Sequence, residues 1–534
     1  MKRLNLVFFL SCLAVMLQAQ FINNGGTVTI QNGATLSVEG NLTNNSGGTI
    51  TNDGTIEVMN DFVNSGSIAS GASSLIRFIG SANSNITSGG ALFKNAEMAK
   101  TASTITLQDA MNVSGTFTFA QANNQVMLGN NNLTIKQGGS VASAGSDRFF
   151  NTNGIGKLLK ELNANGALTF EVGNGTQYSP ISCNVTGSAF ASASVGGRVY
   201  TSGLTTKYSE STDYITREWD ISATGITDYD NQMTGTYADG DVTGTENLIK
   251  GSYYTTDWHF DGSAGDNVNN TVTAQTDNTS VKLTGMNFFG KANLKAFLSG
   301  ALSGSSMTTT LNTAGVIPLT TPYTVAPFNA PTVTASSIPA NATDWILVEV
   351  RDSGDPSTVI SKTSAFIMSD GSIVNFDNEP LRLKNATTNG YIALRHRNHL
   401  GIRTNTTLDL VNPTLHDFTT GTGQAYTNPS ITSNANMRNM SGNYAMWGGN
   451  SSTSLTHSNP YKVSYAGPGN DNSALLIALG SNKSTVLGNP PPYVYNQADL
   501  NLNGNVRYAG PQNDNAVILQ NLSNNKANVI FEHN

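Results

Sequence analysis

The chain has 534 residues, and only 12% of them are charged: 28 are Lys or Arg and 35 are Asp or Glu, for a net charge of −7. Soluble domains carry about 25% charged residues, so this surface is hydrated mainly by Asn, Ser, Thr and backbone; a charge-laced helical enzyme is excluded, and no basic stripe remains to follow the phosphates of a nucleic acid. With 53 Gly, 16 Pro and 38% hydrophobic residues, the local preferences favour strands and turns around real cores, and the expected class is all-β.

Residues 1–19 read as a secretory signal peptide. Lys2 and Arg3 precede an apolar run from Leu6 to Leu17, and the small residue Ala19 closes it. About 12 apolar residues fall short of the roughly 20 that span a bilayer, so a membrane anchor is disfavoured. Lipidation at Cys12 fits poorly because apolar residues continue past it. The mature chain then keeps one cysteine, Cys183, which can form no internal disulfide and reads as a buried structural thiol. No later segment is long and apolar enough to cross a membrane, and the expected location is extracellular or on the outer cell surface.

Residues 20–145 form a repeat region. Large apolar residues stand six apart at Ile30, Leu36 and Leu42, and the series resumes at Ile50, Ile56, Phe62 and Ile68. A helix does not keep that period. Short strands with corners at Asn32-Gly33 and Asp53-Gly54 do, since those residues tolerate positive φ and each turn then presents one inward side chain to a narrow stacked core. We read a β-solenoid (β-helix); the rival is a run of β-hairpins, because Asn-Gly also makes type I′ turns. Many β-helices degrade polysaccharides, but Glu39, Asp53, Glu57, Asp61 and Glu97 are scattered among Asn and Ser and do not mark a catalytic face.

Residues 146–290 carry short alternating runs between turn clusters and predict a β-sandwich, with Trp219 as a core plug rather than a sugar platform. Residues 291–445 predict a second β domain. In Ile346–Asp352 the apolar positions alternate with Leu347, Glu349 and Arg351, giving a strand with one polar row. Arg395, His396, Arg397 and His399 form the one dense cationic cluster and are candidate ligand-binding residues. Three readings compete: cross-strand pairing of Arg395 or Arg397 with Glu349, Asp344 or Asp352; a site for an acidic sugar or carboxylate; and a metal site, which needs a turn to bring His396 and His399 to one side.

Residues 446–534 contain a duplication. Val463-Ser-Tyr465-Ala-Gly467-Pro468-Gly-Asn470-Asp471-Asn472 recurs 43 residues later as Val506-Arg-Tyr508-Ala-Gly510-Pro511-Gln-Asn513-Asp514-Asn515, each copy running into an apolar stretch compatible with a short helix. Before the second copy, Asp499, Asn501, Asn503, Gly504 and Asn505 occupy the opening positions of a calcium loop, which takes oxygen ligands at 1, 3 and 5, Gly at 6 and a backbone carbonyl at 7. Position 12 is Gly510, so Asp514 closes the site after an insertion. The expected metal set is Asp499, Asn501, Asn503, Asn505 and Asp514 holding weakly bound Ca²⁺. Thr456, Ser458 and Pro460, the equivalents in the first copy, lack the charge for a metal. The competing reading makes Asp471 and Asp514 helix N-caps.

The Asp344–Asp352 string, the Arg395-His396-Arg397-Asn398-His399-Leu400-Gly401 string and the C-terminal tail resemble secreted, hemagglutinin-like surface proteins of Bacteroidetes over about residues 146–534. The loop opening at Asp499 is similar to a dockerin-type loop, which is shorter. The resemblance implies export and a large non-catalytic surface polypeptide, with no assigned ligand. The expected function is therefore non-enzymatic: adhesion or matrix attachment through a host or matrix glycan or protein, with no nucleic acid partner. The alternative is a secreted carbohydrate-binding or carbohydrate-degrading protein.

Overall fold

The computed structural model describes residues 19–201, 207–208, 210–451, 461–489 and 491–534. The apolar run from Leu6 to Leu17, Cys12, Thr456, Ser458 and Pro460 lie outside them. The chain divides into two units, Met1–Met286 and Asn287–Asn534.

The first unit opens as a β-solenoid of about seven coils. Each coil contributes three short strands to three parallel stacks, for example Leu42–Asn44, Thr49–Asn52 and Thr55–Val58 in one coil. Leu42 stacks on Phe62, Ile50 on Ile68 and Ile56 on Ile76, with parallel register. The six-residue period is thus the step from one face to the next, and these three stacked pairs lie 18 or 20 residues apart. Each coil supplies several inward side chains rather than one, because strands such as Thr55–Val58 bury alternate residues. Ile30, Leu42, Ile50, Ile56 and Phe62 are buried, while Leu36 and Ile68 are part-buried against the same core.

Polar groups inside the stack are paired along it. Asn23 Nδ2 donates to Asn44 Oδ1 at 2.9 Å, and Asn44 Nδ2 to Asn64 Oδ1 at 2.8 Å, forming an amide ladder. Lys100 is fully buried, and its ammonium donates to the carbonyls of Met59, Ile79 and Ala82 at 2.7, 2.8 and 2.8 Å. Of the two predicted corner glycines, Gly33 has φ +80° as expected. Gly54 is required for a different reason: a Cβ there would lie 2.3 Å from the Ala34 carbonyl oxygen.

Parallel stacking continues past residue 145, as far as Val172–Asn174 on Arg148–Asn151. Leu158–Leu162 stacks in parallel on Leu133–Ile135 along one edge and pairs antiparallel with Ala189–Tyr200 along the other, so solenoid and sandwich share one core. The second sandwich sheet orders Gly166–Phe170, Ile181–Thr186, Asp230–Thr236 and Thr271–Thr276. Trp219 is fully buried, packs on Gly235 and donates its indole N–H to the Ser179 carbonyl at 2.9 Å, so it is a core plug. Cys183 is a buried free thiol whose pKa burial pushes up to about 12.

The second unit is built on an antiparallel sheet of β1 (Ala342–Arg351), β2 (Val359–Met368), β3 (Ile373–Asn375), β4 (Asn389–His396) and β5 (His399–Arg403), in the order β3-β2-β1-β4-β5. Every residue of β1 is buried. Its polar row therefore faces counter-charges inside the unit rather than water. Residues 446–534 fall within the second of the two units, Asn287–Asn534.

The two copies of the duplicated motif exchange elements. Lys462–Ser464 pairs with Val529–Phe531, and Val486–Leu487 with Val506–Arg507. The Tyr465 and Tyr508 hydroxyls meet at 3.1 Å, with Lys526 over the Tyr465 ring and Lys483 over the Tyr508 ring. The helices Asp471–Ala478 and Asp514–Asn521 are capped by Asn470 and Asn513, whose side-chain oxygens accept from Ser473 and Ala516 at 2.8 Å. Asp471 and Asp514 stand one position later and are not the caps.

Candidate functional site

The four cationic candidates lie at the junction of β4 and β5. Arg397 and Asn398 make the turn between the strands, which sets His396 opposite His399 in the antiparallel register. Both imidazoles are buried, in edge-to-face contact with centroids 4.9 Å apart. His399 Nε2 accepts the Gly300 N–H at 3.1 Å, so its proton sits on Nδ1, which faces Asn398 Oδ1 at 2.8 Å and His396 Nδ1 at 3.1 Å. His396 then carries its proton on Nε2, 3.2 Å from Asp344 Oδ2. The turn that joint metal ligation required is present, yet all four ring nitrogens are committed to hydrogen bonds. Burial lowers the pKa of both rings, that of His399 further through His396 and Arg397. The pair is a neutral relay that orients its neighbours.

Arg397 Nε donates to Asp344 Oδ2 at 2.9 Å, and its guanidinium lies over the Tyr495 ring, 4.4 Å from the centroid. Asp344 Oδ1 accepts the Tyr495 hydroxyl at 2.7 Å and the Trp345 N–H at 2.8 Å. Burial acts to raise the Asp344 pKa, but Arg397, His396 and Tyr495 outweigh it and hold the carboxyl well below the usual range. Alongside, Glu349 accepts from Arg351 at 2.7 Å and from Arg395 at 3.2 Å; Arg395 also reaches Glu532 at 3.2 Å, and Glu532 accepts the Gly401 N–H at 2.7 Å. Arg395 and Arg397 thus make the cross-strand pairs with Glu349 and Asp344, while Asp352 instead caps its own turn at Gly354 and Asp355.

These groups border a cavity of about 570 Å³ whose lining includes Glu349, Arg351, Arg395, Arg397, Tyr461, Tyr495 and Glu532 together with Pro322, Val325, Pro327, Phe328, Val359 and Lys362. Arg397 Nη2 and Arg351 Nε are buried and meet no acceptor. Compared with known proteins, the chain matches no family model, no curated protein and no solved structure. Function must therefore be argued from the site itself.

The loop predicted to hold calcium seats against the same turn: Asn398 Nδ2 donates to the Asp499 carbonyl at 2.6 Å, and Arg397 donates to the Asn496 carbonyl. Asp499 accepts Asn503 N–H at 3.1 Å and Gly504 N–H at 2.8 Å, while Asp514 accepts Leu500 N–H at 2.7 Å and Arg507 N–H at 2.9 Å. Asn501 and Asn503 turn their side-chain oxygens onto the amides of Asn503 and Asn505. Asp499 and Asp514 are both fully buried. Burial raises the Asp499 pKa to about 6, and burial together with Asp499 pushes that of Asp514 to about 8. Their oxygens retain lone pairs beyond these amide contacts, and a divalent cation relieves such mutual repulsion. Among the described residues, no group of three His, Cys, Asp or Glu side chains gathers.

Sequence reasoning missed Arg351 as a cavity residue, and missed Lys362, Tyr461, Tyr495 and Glu532 altogether. Arg351 was visible only as part of a strand. Glu532 lies 137 residues from Arg395, and nothing local marks it.

Proposed function

We propose that the chain is a non-catalytic extracellular protein of the cell surface that serves adhesion or matrix attachment, its second unit contributing the ligand contact. The observation that carries this reading is the fate of the carboxylates at the cavity. Glu349 and Glu532 are held by guanidinium groups and a backbone amide, and Asp344 behind them by Arg397 and Tyr495. A general acid or base needs a proton it can exchange with substrate; carboxylates locked in ion pairs supply rigidity instead. The amide ladder and buried Lys100 make the solenoid a stiff scaffold, in keeping with a presenting role. The apolar export segment and the resemblance to surface proteins point the same way. Calcium at the Asp499–Asp514 loop, with Asn501, Asn503 and the Asn505 carbonyl, would stiffen the turn that carries Arg397 and fill only outside the cell.

The test has two arms. Protease shaving of intact cells should release peptides of this chain, and purified residues 20–534 should attach to host cells or matrix. A chain retained inside the cell, or one that attaches to neither, overturns the reading.

A further inference from the structure

The cavity of the second unit has a chemistry that restricts its ligand. Four cationic groups, Arg351, Lys362, Arg395 and Arg397, line it with two carboxylates, Glu349 and Glu532. Arg395 is shared between both carboxylates, and Arg351 contacts Glu349 through Nη2 only. That leaves Arg351 Nε and Arg397 Nη2 as buried donors without acceptors, on residues 7% and 4% exposed. A buried guanidinium N–H without an acceptor is costly, and few persist in folded proteins. Both side chains line the cavity, and a rotation of either guanidinium towards an anionic oxygen entering there would give its unpartnered N–H an acceptor. The lining also includes apolar surface, with Val325 66% and Val359 38% exposed beside Phe328, Pro322 and Pro327.

We propose that this cavity binds a carboxylate-bearing sugar, an acidic unit of a surface or matrix glycan. This deepens the adhesion reading above and rests on it for the biological setting. Three features select this class. Guanidinium forks match planar carboxylates. Glu349, Glu532, Ser357, Asn450 and Gln497 line the same space and can accept from several sugar hydroxyl groups, whereas a fatty acid offers them no hydroxyl and hydrogen phosphate at most one or two. The Phe328 wall suits the C–H face of a sugar ring, and the volume lies within the range of small-ligand pockets. His396 and His399 are positioning residues: their relay ends on Asp344, which fixes Arg397.

Calorimetric titration of the full chain with D-glucuronate, D-glucose, acetate and inorganic phosphate tests this. Glucuronate should bind in the millimolar range, glucose and phosphate should not, and acetate should bind at least about tenfold more weakly than glucuronate, having lost the hydroxyl contacts. Arg351→Lys keeps a cation opposite Glu349 but removes the unpartnered Nε–H, and Lys362→Gln removes a rim charge; each should weaken glucuronate binding, the first by about tenfold, with thermal melting within a few degrees of wild type. No glucuronate binding, equal binding of glucose, or acetate and phosphate matching glucuronate each overturns the proposal. If the chain attaches to cells yet ignores glucuronate, the ligand assignment fails and the adhesion reading stands. If glucuronate binds but the chain attaches to nothing, the reverse holds.

Discussion

Replacing Lys100 by Met tests how the solenoid coils are fastened. The ammonium donates to three carbonyls, Met59, Ile79 and Ala82, and the residue exposes no surface. Methionine keeps the length and removes the donors. Three carbonyl oxygens are then buried without those partners, at about 1–3 kcal/mol each. Part of that loss is offset because the variant no longer buries a cation, whose pKa burial pulls down from 10.5 to about 8 against the attraction of Asp61. The net destabilisation is expected at about 2–4 kcal/mol at pH 7. The pH dependence gives a second handle. Between pH 8 and 10.5 the unfolded chain binds more protons at this site than the folded one, so the site's contribution to stability rises with pH in that window. Methionine has no such contribution, and the gap between wild type and variant should widen there. Hydrogen exchange of amides in residues 55–105 of the full chain, measured across urea concentrations, reports the local stability. A loss under about 1 kcal/mol at pH 7, or a gap that narrows as pH rises from 8, refutes the account.

Ile56→Asp puts an unpaired charge at a position 1% exposed in the solenoid core, and cooperative unfolding of the first unit should be lost; an unchanged melting curve would contradict the inward assignment. Arg397→Ala strips Asp344 of its principal counter-charge and should cost about 3–5 kcal/mol at neutral pH, read as a lower melting temperature. Because the wild-type Asp344 pKa is depressed, its stabilisation is present above the ordinary carboxylate pKa and fades as pH falls, so the deficit of the variant should shrink below about pH 4. Millimolar calcium should raise the melting temperature of the full chain, with Kd on the order of 10⁻⁴ to 10⁻³ M, and Asp499→Ala should abolish the shift; calorimetry showing no heat at about 10 mM calcium would remove the metal from the picture.

The parts of the fold that were legible in the sequence are those set by local periodicity. Ile30 to Ile68 announced the solenoid because every strand in a stack buries the same kind of side chain, and Trp219 announced a core because an indole of that size is rarely left wet. Period-two alternation in Ile346–Asp352 predicted the strand. It did not predict that Glu349 and Arg351 would be buried, since alternation reports two faces and not what covers each. The cationic cluster was visible by its density, but its partners were not: Tyr495 reaches Asp344 from 151 residues away and Glu532 reaches Arg395 from 137. The helix caps were misplaced by one residue because Asn and Asp cap equally well and stand side by side in Asn470-Asp471 and Asn513-Asp514.

The exchange of elements between the two C-terminal copies makes the duplication an intramolecular swapped dimer. Strand Lys462–Ser464 finds its partner only beyond the second copy, and Val506–Arg507 only beyond the first, while each tyrosine ring is covered by the lysine of the other half. Each half completes its strand pairs with the other, so deleting one copy would leave the other with open strand edges, the template for aggregation. The tether between the halves is under the opposite constraint. Its closure entropy grows only slowly with length, and a loop such as Asp499–Asn505 can be elaborated there while the paired halves stay in register.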